Sequence, residues 1–114
     1  MRYLFQNYAG RSAEEYAQLS EGERQAIVDE YLAIRELPGV VGGGQLQPVE
    51  TATTVRVQNG ETLLTDGPFI DAKEHLGGYF VMELDDLDAA LEIAARIPAA
   101  RMGGAVEVRP LVER

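Results

Sequence analysis

Residues 66–78 concentrate the chemistry-bearing side chains of this chain: Asp66-Gly67-Pro68-Phe69-Ile70-Asp71-Ala72-Lys73-Glu74-His75-Leu76-Gly77-Gly78. Two aspartates, a lysine, a glutamate and the lone histidine fall in one connection between strands. Proline fixes its own φ and restricts the residue before it, and glycine allows backbone that other residues resist. Gly67-Pro68 and Gly77-Gly78 therefore pin both ends, and side chains between them can be held in fixed directions. Read as an acid–base site, Asp66, Lys73 and His75 are the proton carriers, with the histidine titrating in the range proton transfer needs. Read as a binding site, Asp66, Phe69, Lys73 and Glu74 contact a small ligand.

Each residue also has a plainer role. Asp66 before Gly67-Pro68 suits an Asx-type turn. Phe69 is of a type that most often fills a core. Asp71-Ala72-Lys73-Glu74 has the form of a capping box for one helical turn, with Gly77 as its C-terminal stop. Lys73 is the charge that capping leaves without a task. Asp85, Asp86 and Asp88 open a helix, where acids suit the dipole, so no metal site is assigned. Gly42-Gly43-Gly44 lacks the spacing of a phosphate loop and is read as a close backbone approach. There is no nucleophilic serine or cysteine motif. No cofactor is assigned.

The elements that must position these residues follow from periodicity and turn signals. Residues 2–8 are apolar and aromatic and predict a strand; residues 9–19 read as a loop or a loose helical turn. Ser20-Glu21-Gly22-Glu23 is a capping box. Ile27, Val28, Tyr31 and Ile34 continue it as a helical stripe that Pro38-Gly39 stops. Residues 40–46 hold a short strand. Thr53–Gln58 and Glu61–Thr65 flank Asn59-Gly60, the strongest short hairpin signal, with Val55 opposite Leu64 and Val57 opposite Thr62. Residues 79–84 form the next strand. A second helix begins near Asp85-Asp86, with Leu87, Ala90, Leu91 and Ala94 on one face. Ala105 to Leu111 is the last strand, with Val106 and Val108 on one side.

Without its hairpin this order is an α+β, ferredoxin-like βαββαβ sandwich, one domain over residues 1–114. Strand 79–84 is apolar on both sides, Phe80, Met82 and Leu84 on one and Tyr79 and Val81 on the other. An antiparallel sheet with one wet face alternates more cleanly. The second face is therefore expected to be covered, most economically by another copy in a homodimer.

Composition sets the class. The chain has 114 residues, 46% hydrophobic and 25% charged, and no cysteine. Disulfides and thiolate metal sites are excluded, and no apolar run reaches the ~20 residues of a membrane-spanning helix. The start, Met1-Arg2-Tyr3-Leu4-Phe5, lacks a signal-peptide pattern, so a cytoplasmic location is expected with no membrane partner. The net charge of −9 makes nucleic acid a poor partner.

Asp66-Gly67-Pro68-Phe69, followed by Lys73-Glu74 and Gly77-Gly78-Tyr79, resembles the signature of the DGPF subgroup of the YCII-related proteins. The resemblance runs through Gly43-Gly44, the hairpin, residues 85–90 and Gly103-Gly104-Ala105-Val106-Glu107-Val108-Arg109-Pro110. It implies a dimeric α/β barrel, and a regulatory setting, since such members are often encoded beside extracytoplasmic-function sigma factors. Related YCII proteins are thought to use a His–Asp pair with the histidine near the start of the first helix. The helix expected here from Ser20 to Leu37 has no histidine, so that pair is not carried over. Two readings remain: a small-molecule-binding or regulatory module, and an enzyme doing acid–base chemistry on a small polar substrate.

Overall fold

The computed structural model describes residues 1–70 and 74–114. Strand β1 (Arg2–Ala9) runs through the middle of an antiparallel sheet. It pairs on one side with β5 (His75–Glu83) and on the other with β6 (Ala105–Pro110). Strand β2 (Val40–Gln45) completes the sheet beyond β5. Helices α1 (Ala13–Ala17) and α2 (Glu21–Arg35) fill the connection from β1 to β2. Helices α3 (Leu87–Ala94) and α4 (Pro98–Arg101) fill the connection from β5 to β6. The strand order β2-β5-β1-β6 is that of a ferredoxin-like α+β sandwich. Strands β3 (Thr53–Gln58) and β4 (Glu61–Asp66) form a separate two-stranded sheet, the added hairpin.

The core follows from the strand period. Tyr3, Phe5 and Asn7 of β1 point to the same side, and all are buried. Phe5 lies opposite Phe80 and Val108, and Tyr3 opposite Met82. Ile34 of α2 and Ala90 and Ala94 of α3 close over these side chains, with Ile97. The other face carries Leu4, Gln6, Tyr8, Tyr79 and Val81. Tyr79 is 38% exposed, and no helix covers it.

Several expectations hold in detail. Ser20 caps α2 with the full reciprocal box, its Oγ accepting from the Glu23 amide at 3.1 Å. Asn59 and Gly60 have φ of 49° and 79°, both positive as a type I′ turn requires. Val55 faces Leu64 and Val57 faces Thr62. Gly43 is a close approach: a Cβ there would lie 2.6 Å from the Tyr79 carbonyl oxygen.

Others are corrected. Residues 9–19 contain α1, capped by Ser12, whose Oγ accepts from the Glu15 amide. The helix expected at Ser20–Leu37 is therefore the second one. It packs mainly through its C-terminal half, where Ile34 is buried and Tyr31 and Leu37 are half-buried. Val28 stays exposed. On α3 the stripe is rotated: Leu87 and Leu91 are 47% and 49% exposed, and the alanines face the sheet. Two small residues let the helix sit close, leaving the leucines at its flank. Strand β5 begins at His75, four residues before the expected start, so Gly77 and Gly78 are strand residues. Gly77 cannot stop a helix, because it lies inside β5, at the irregularity where the β1–β5 register shifts, and its carbonyl accepts from the Leu46 amide at 2.9 Å. The capping box at Asp71-Ala72-Lys73-Glu74 falls largely outside the described residues. Phe69 is not core: it is 70% exposed.

Candidate functional site

The connection from β4 to β5 starts at the base of the hairpin. Asp66 closes β4 opposite Thr53. Side chains alternate along a strand, so Thr53, Val55 and Val57 share one face with Thr62, Leu64 and Asp66. The base is tied down just beyond. The Gly67 amide donates to the Ala52 carbonyl at 2.7 Å, and the Thr54 hydroxyl donates to the Gly67 carbonyl at 2.7 Å. Gly67 has φ of 104°, a region in which an L side chain is strained, so the chain leaves the hairpin by a bend only glycine makes cheaply. Asp66 itself is exposed, and among the described residues its carboxylate makes no hydrogen bond.

Past Pro68 the chain folds to the opposite face of the hairpin. The Arg56 guanidinium lies 5.5 Å from the centroid of the Phe69 ring, a cation–π contact worth ~0.5–1 kcal/mol at an exposed site. Ile70 and Glu74 are exposed. His75 is half-buried and pairs with Ala9 at the end of β1. Asp66, Phe69, Glu74 and His75 thus line one stretch of chain between the hairpin base and the main sheet. They are not gathered into a cavity: the two best-formed grooves among the described residues are lined by none of them. Lys73 and Asp71 lie outside the described residues.

The first groove lies between α2 and the α3–α4 segment, and the second between α2, the residues flanking α1 and the C-terminal end of α4. The first, about 320 Å³, has Ala33 and Ile34 on one wall and Arg96 and Arg101 on the other. Arg101 donates to Glu30 at 2.6 Å across its mouth. Both partners are about half exposed, so this pair adds little stability. Beside it the Tyr31 hydroxyl is raised above its ordinary value of 10.0, chiefly by burial, against the opposing pull of the Ala99 backbone and Arg101. The Glu30–Arg101 ion pair thus links α2 to α4 beside the partly buried Tyr31.

Asn7 is the polar residue that pattern reading missed. It occupies the buried register of β1 after Tyr3 and Phe5, between Gly78 and Val106. It is 6% exposed, and among the described residues its Oδ1 has no hydrogen-bond partner. The signal was in the sequence: residues 3, 5 and 7 share a face, and an amide interrupts two aromatics. Among the described residues no three His, Asp or Glu side chains gather to hold a metal ion.

An antiparallel β2-β5-β1-β6 sheet with helices on one face and a hairpin set between β2 and β5 defines an α+β domain. Comparison of the sequence with protein families then matches the YCII-related domain over residues 1–114, and the chain belongs to that family. An uncharacterized Rhizobium meliloti (strain 1021) protein, R00369, is 41% identical over 68 residues, 59% of this chain and 55% of that protein. The match therefore spans little more than half of that relative. Among solved structures, the 5-chloro-2-hydroxyhydroquinone dehydrochlorinase TftG of Burkholderia phenoliruptrix AC1100, in complex with 2,5-dihydroxybenzoquinone, aligns with a TM-score of 0.48 and 20% identity. That alignment covers 100% of this chain and 96% of that one. Among the described residues of the present chain, no helix is long and apolar enough to cross a membrane.

Proposed function

We propose that this chain is a small-molecule-binding, regulatory module of the DGPF type. It works in the cytoplasm as a homodimer of single-domain protomers, with no nucleic-acid partner. The observation that carries this reading is the helix-free sheet face. Leu4, Tyr8, Tyr79 and Val81 make its centre apolar, whereas the helix-covered face is a closed core. An antiparallel sheet tolerates one wet face, but that face is then polar. A second copy brings an identical apolar surface and needs no other component.

In this reading Asp66, Phe69, Lys73 and Glu74 contact the ligand, beside the hairpin base. Tight backbone bonds at Gly67 support this placement, because binding side chains work best on fixed main chain. A metabolite thermal-shift screen tests the proposal, since a ligand that binds the native state raises the melting temperature by mass action. Asp66→Asn and Lys73→Met are expected to lose that shift while keeping the unliganded melting temperature and the dimer mass. Variants that lose stability but bind normally would place the site elsewhere. If instead a screened compound is turned over, and His75→Gln abolishes turnover without weakening binding, the module is an acid–base enzyme.

A further inference from the structure

Every residue of β3 and β4 except Thr54 is exposed. A lone two-stranded hairpin is at best marginally stable in water. This one is also strongly sided. The face shared by Val55, Val57 and Leu64 is an apolar stripe, and those residues are 60%, 66% and 69% exposed. The opposite face carries Arg56, Gln58, Glu61, Thr65 and Leu63, with Phe69 folded under Arg56. Alternation this clean marks a half-buried ribbon, yet none of the described residues covers the buried half.

We infer that the hairpin is an arm whose Val55–Val57–Leu64 face packs on a second copy of this chain, so that Asp66, at the foot of that same face, belongs to a site completed by the partner. The inference rests on the homodimer proposed above and adds to it which surface grips and what the grip encloses. Area favours a second copy as the occupant. Four strands ~4.8 Å apart and about six residues long present a sheet face of roughly 400 Å² in plan. That is about half of the ~800 Å² that each partner gives to a standard interface. The arm adds roughly 200 Å² per face on the same spacings. Sheet face and arm together approach a stable interface, and neither does so alone. Asp66 is the one charge on the arm's covered face, so docking brings a carboxylate into the edge of the contact, where the partner narrows its access from solvent.

The natural chain has no cysteine, so a single introduced thiol reports cleanly on cover. Asp66→Cys is alkylated with iodoacetamide across a range of protein concentrations spanning dimer formation, with Glu61→Cys, on the polar face, as the comparison. The thiol at 66 is expected to react about 10-fold more slowly once the dimer forms, and that at 61 at an unchanged rate. The double variant Val57→Asp with Leu64→Asp is expected to raise the dimer dissociation constant about 100-fold, a factor of ten for each anchor lost, with unchanged circular dichroism. If the wild type is a dimer but the double variant dimerises equally well, or position 66 gains no protection, the arm inference fails and the sheet-face dimer stands. If the wild type is a monomer at micromolar concentration, both fail.

Discussion

Replacing Gly104 by alanine tests the packing where the chain closes its sandwich. The residue leads into β6, beside Tyr8 and Gly10 at the end of β1. A Cβ at 104 would press on the Tyr8 carbonyl oxygen, 2.9 Å from the Gly10 nitrogen and 3.0 Å from the Ala99 oxygen. All three are backbone atoms, from the end of β1 and from α4, and none can swing aside by changing rotamer. Overpacking a rigid site costs ~1–3 kcal/mol, and three backbone contacts argue for the upper end. Alanine restricts the unfolded chain and returns ~0.4–1 kcal/mol. The net loss is ~2 kcal/mol, and at ~4 °C per kcal/mol for a domain of this size the melting temperature should fall by ~8 °C. Gly22→Ala supplies the contrast, because it lies in the first turns of α2 with nothing closer than the Ser20 Oγ at 4.0 Å. It should gain ~0.5–1 kcal/mol and melt a few degrees higher. Thermal unfolding followed by circular dichroism at matched concentration reads both. A Gly104→Ala protein melting within ~2 °C of wild type would refute the close crossing of β1 and the approach to β6.

Four further outcomes follow from single contacts. Asn7→Val removes a buried acceptor without a partner and puts a strand-favouring residue beside Val106, so the protein should gain ~1 kcal/mol, read by urea unfolding; a loss would mean that Oδ1 is satisfied by something that valine displaces. Glu83 is held below its ordinary value, first by the bond from the Met1 ammonium and then by Arg2. A lowered carboxyl contributes stability above its unfolded pKa and loses it as pH falls through the folded one, so Glu83→Gln should flatten the acid limb of stability against pH and leave the alkaline limb alone. Tyr31, raised by burial, works the other way: stability should fall as pH climbs beyond 10.0, and Tyr31→Phe should remove that loss. Gly60→Val has open space around it but a φ of 79°, so it should cost at least ~1–2 kcal/mol through backbone strain alone, and an unchanged melting temperature would count against the type I′ turn.

The fold was legible wherever a local rule had no rival. Asn59-Gly60 predicted turn type, register and facing pairs together, because only glycine and a few polar residues accept two positive φ values in succession. Ser20-to-Glu23 fixed the start of α2 for the same kind of reason. The same spacing, Ser12 to Glu15, starts α1, but that helix is only five residues long and has no apolar stripe to advertise it. Expectations failed where two rules competed. Gly77 looked like a stop, yet both it and Gly78 lie in β5, where Gly78 pairs with Asn7 of β1 and Gln45 of β2. On α3 the leucines and alanines were equally periodic, and spacing could not say which pair would face the sheet; the smaller pair does.

The segment that first suggested chemistry shows why function lagged behind fold. Phe69 is of a type that most often fills a core and, in the binding reading, is a ligand contact beside Asp66, Lys73 and Glu74. Phe69 and Ile70 instead stand in solvent, and the hairpin before them shows water a face built of Val55, Val57 and Leu64. Each strand there alternates as a core strand does, which is why the pattern predicted a hairpin so well. Alternation specifies that a face is to be buried but not by which chain. Pattern reading treats every apolar residue as core for its own molecule, and in a sheet-face dimer with reaching arms that assumption breaks first at the arm. Asp66 sits where the two meanings diverge: within one chain it is an exposed carboxylate at the end of a hairpin, and in the proposed dimer it would be the charged edge of a contact. The number of copies must therefore be settled before the chemistry at Asp66 can be.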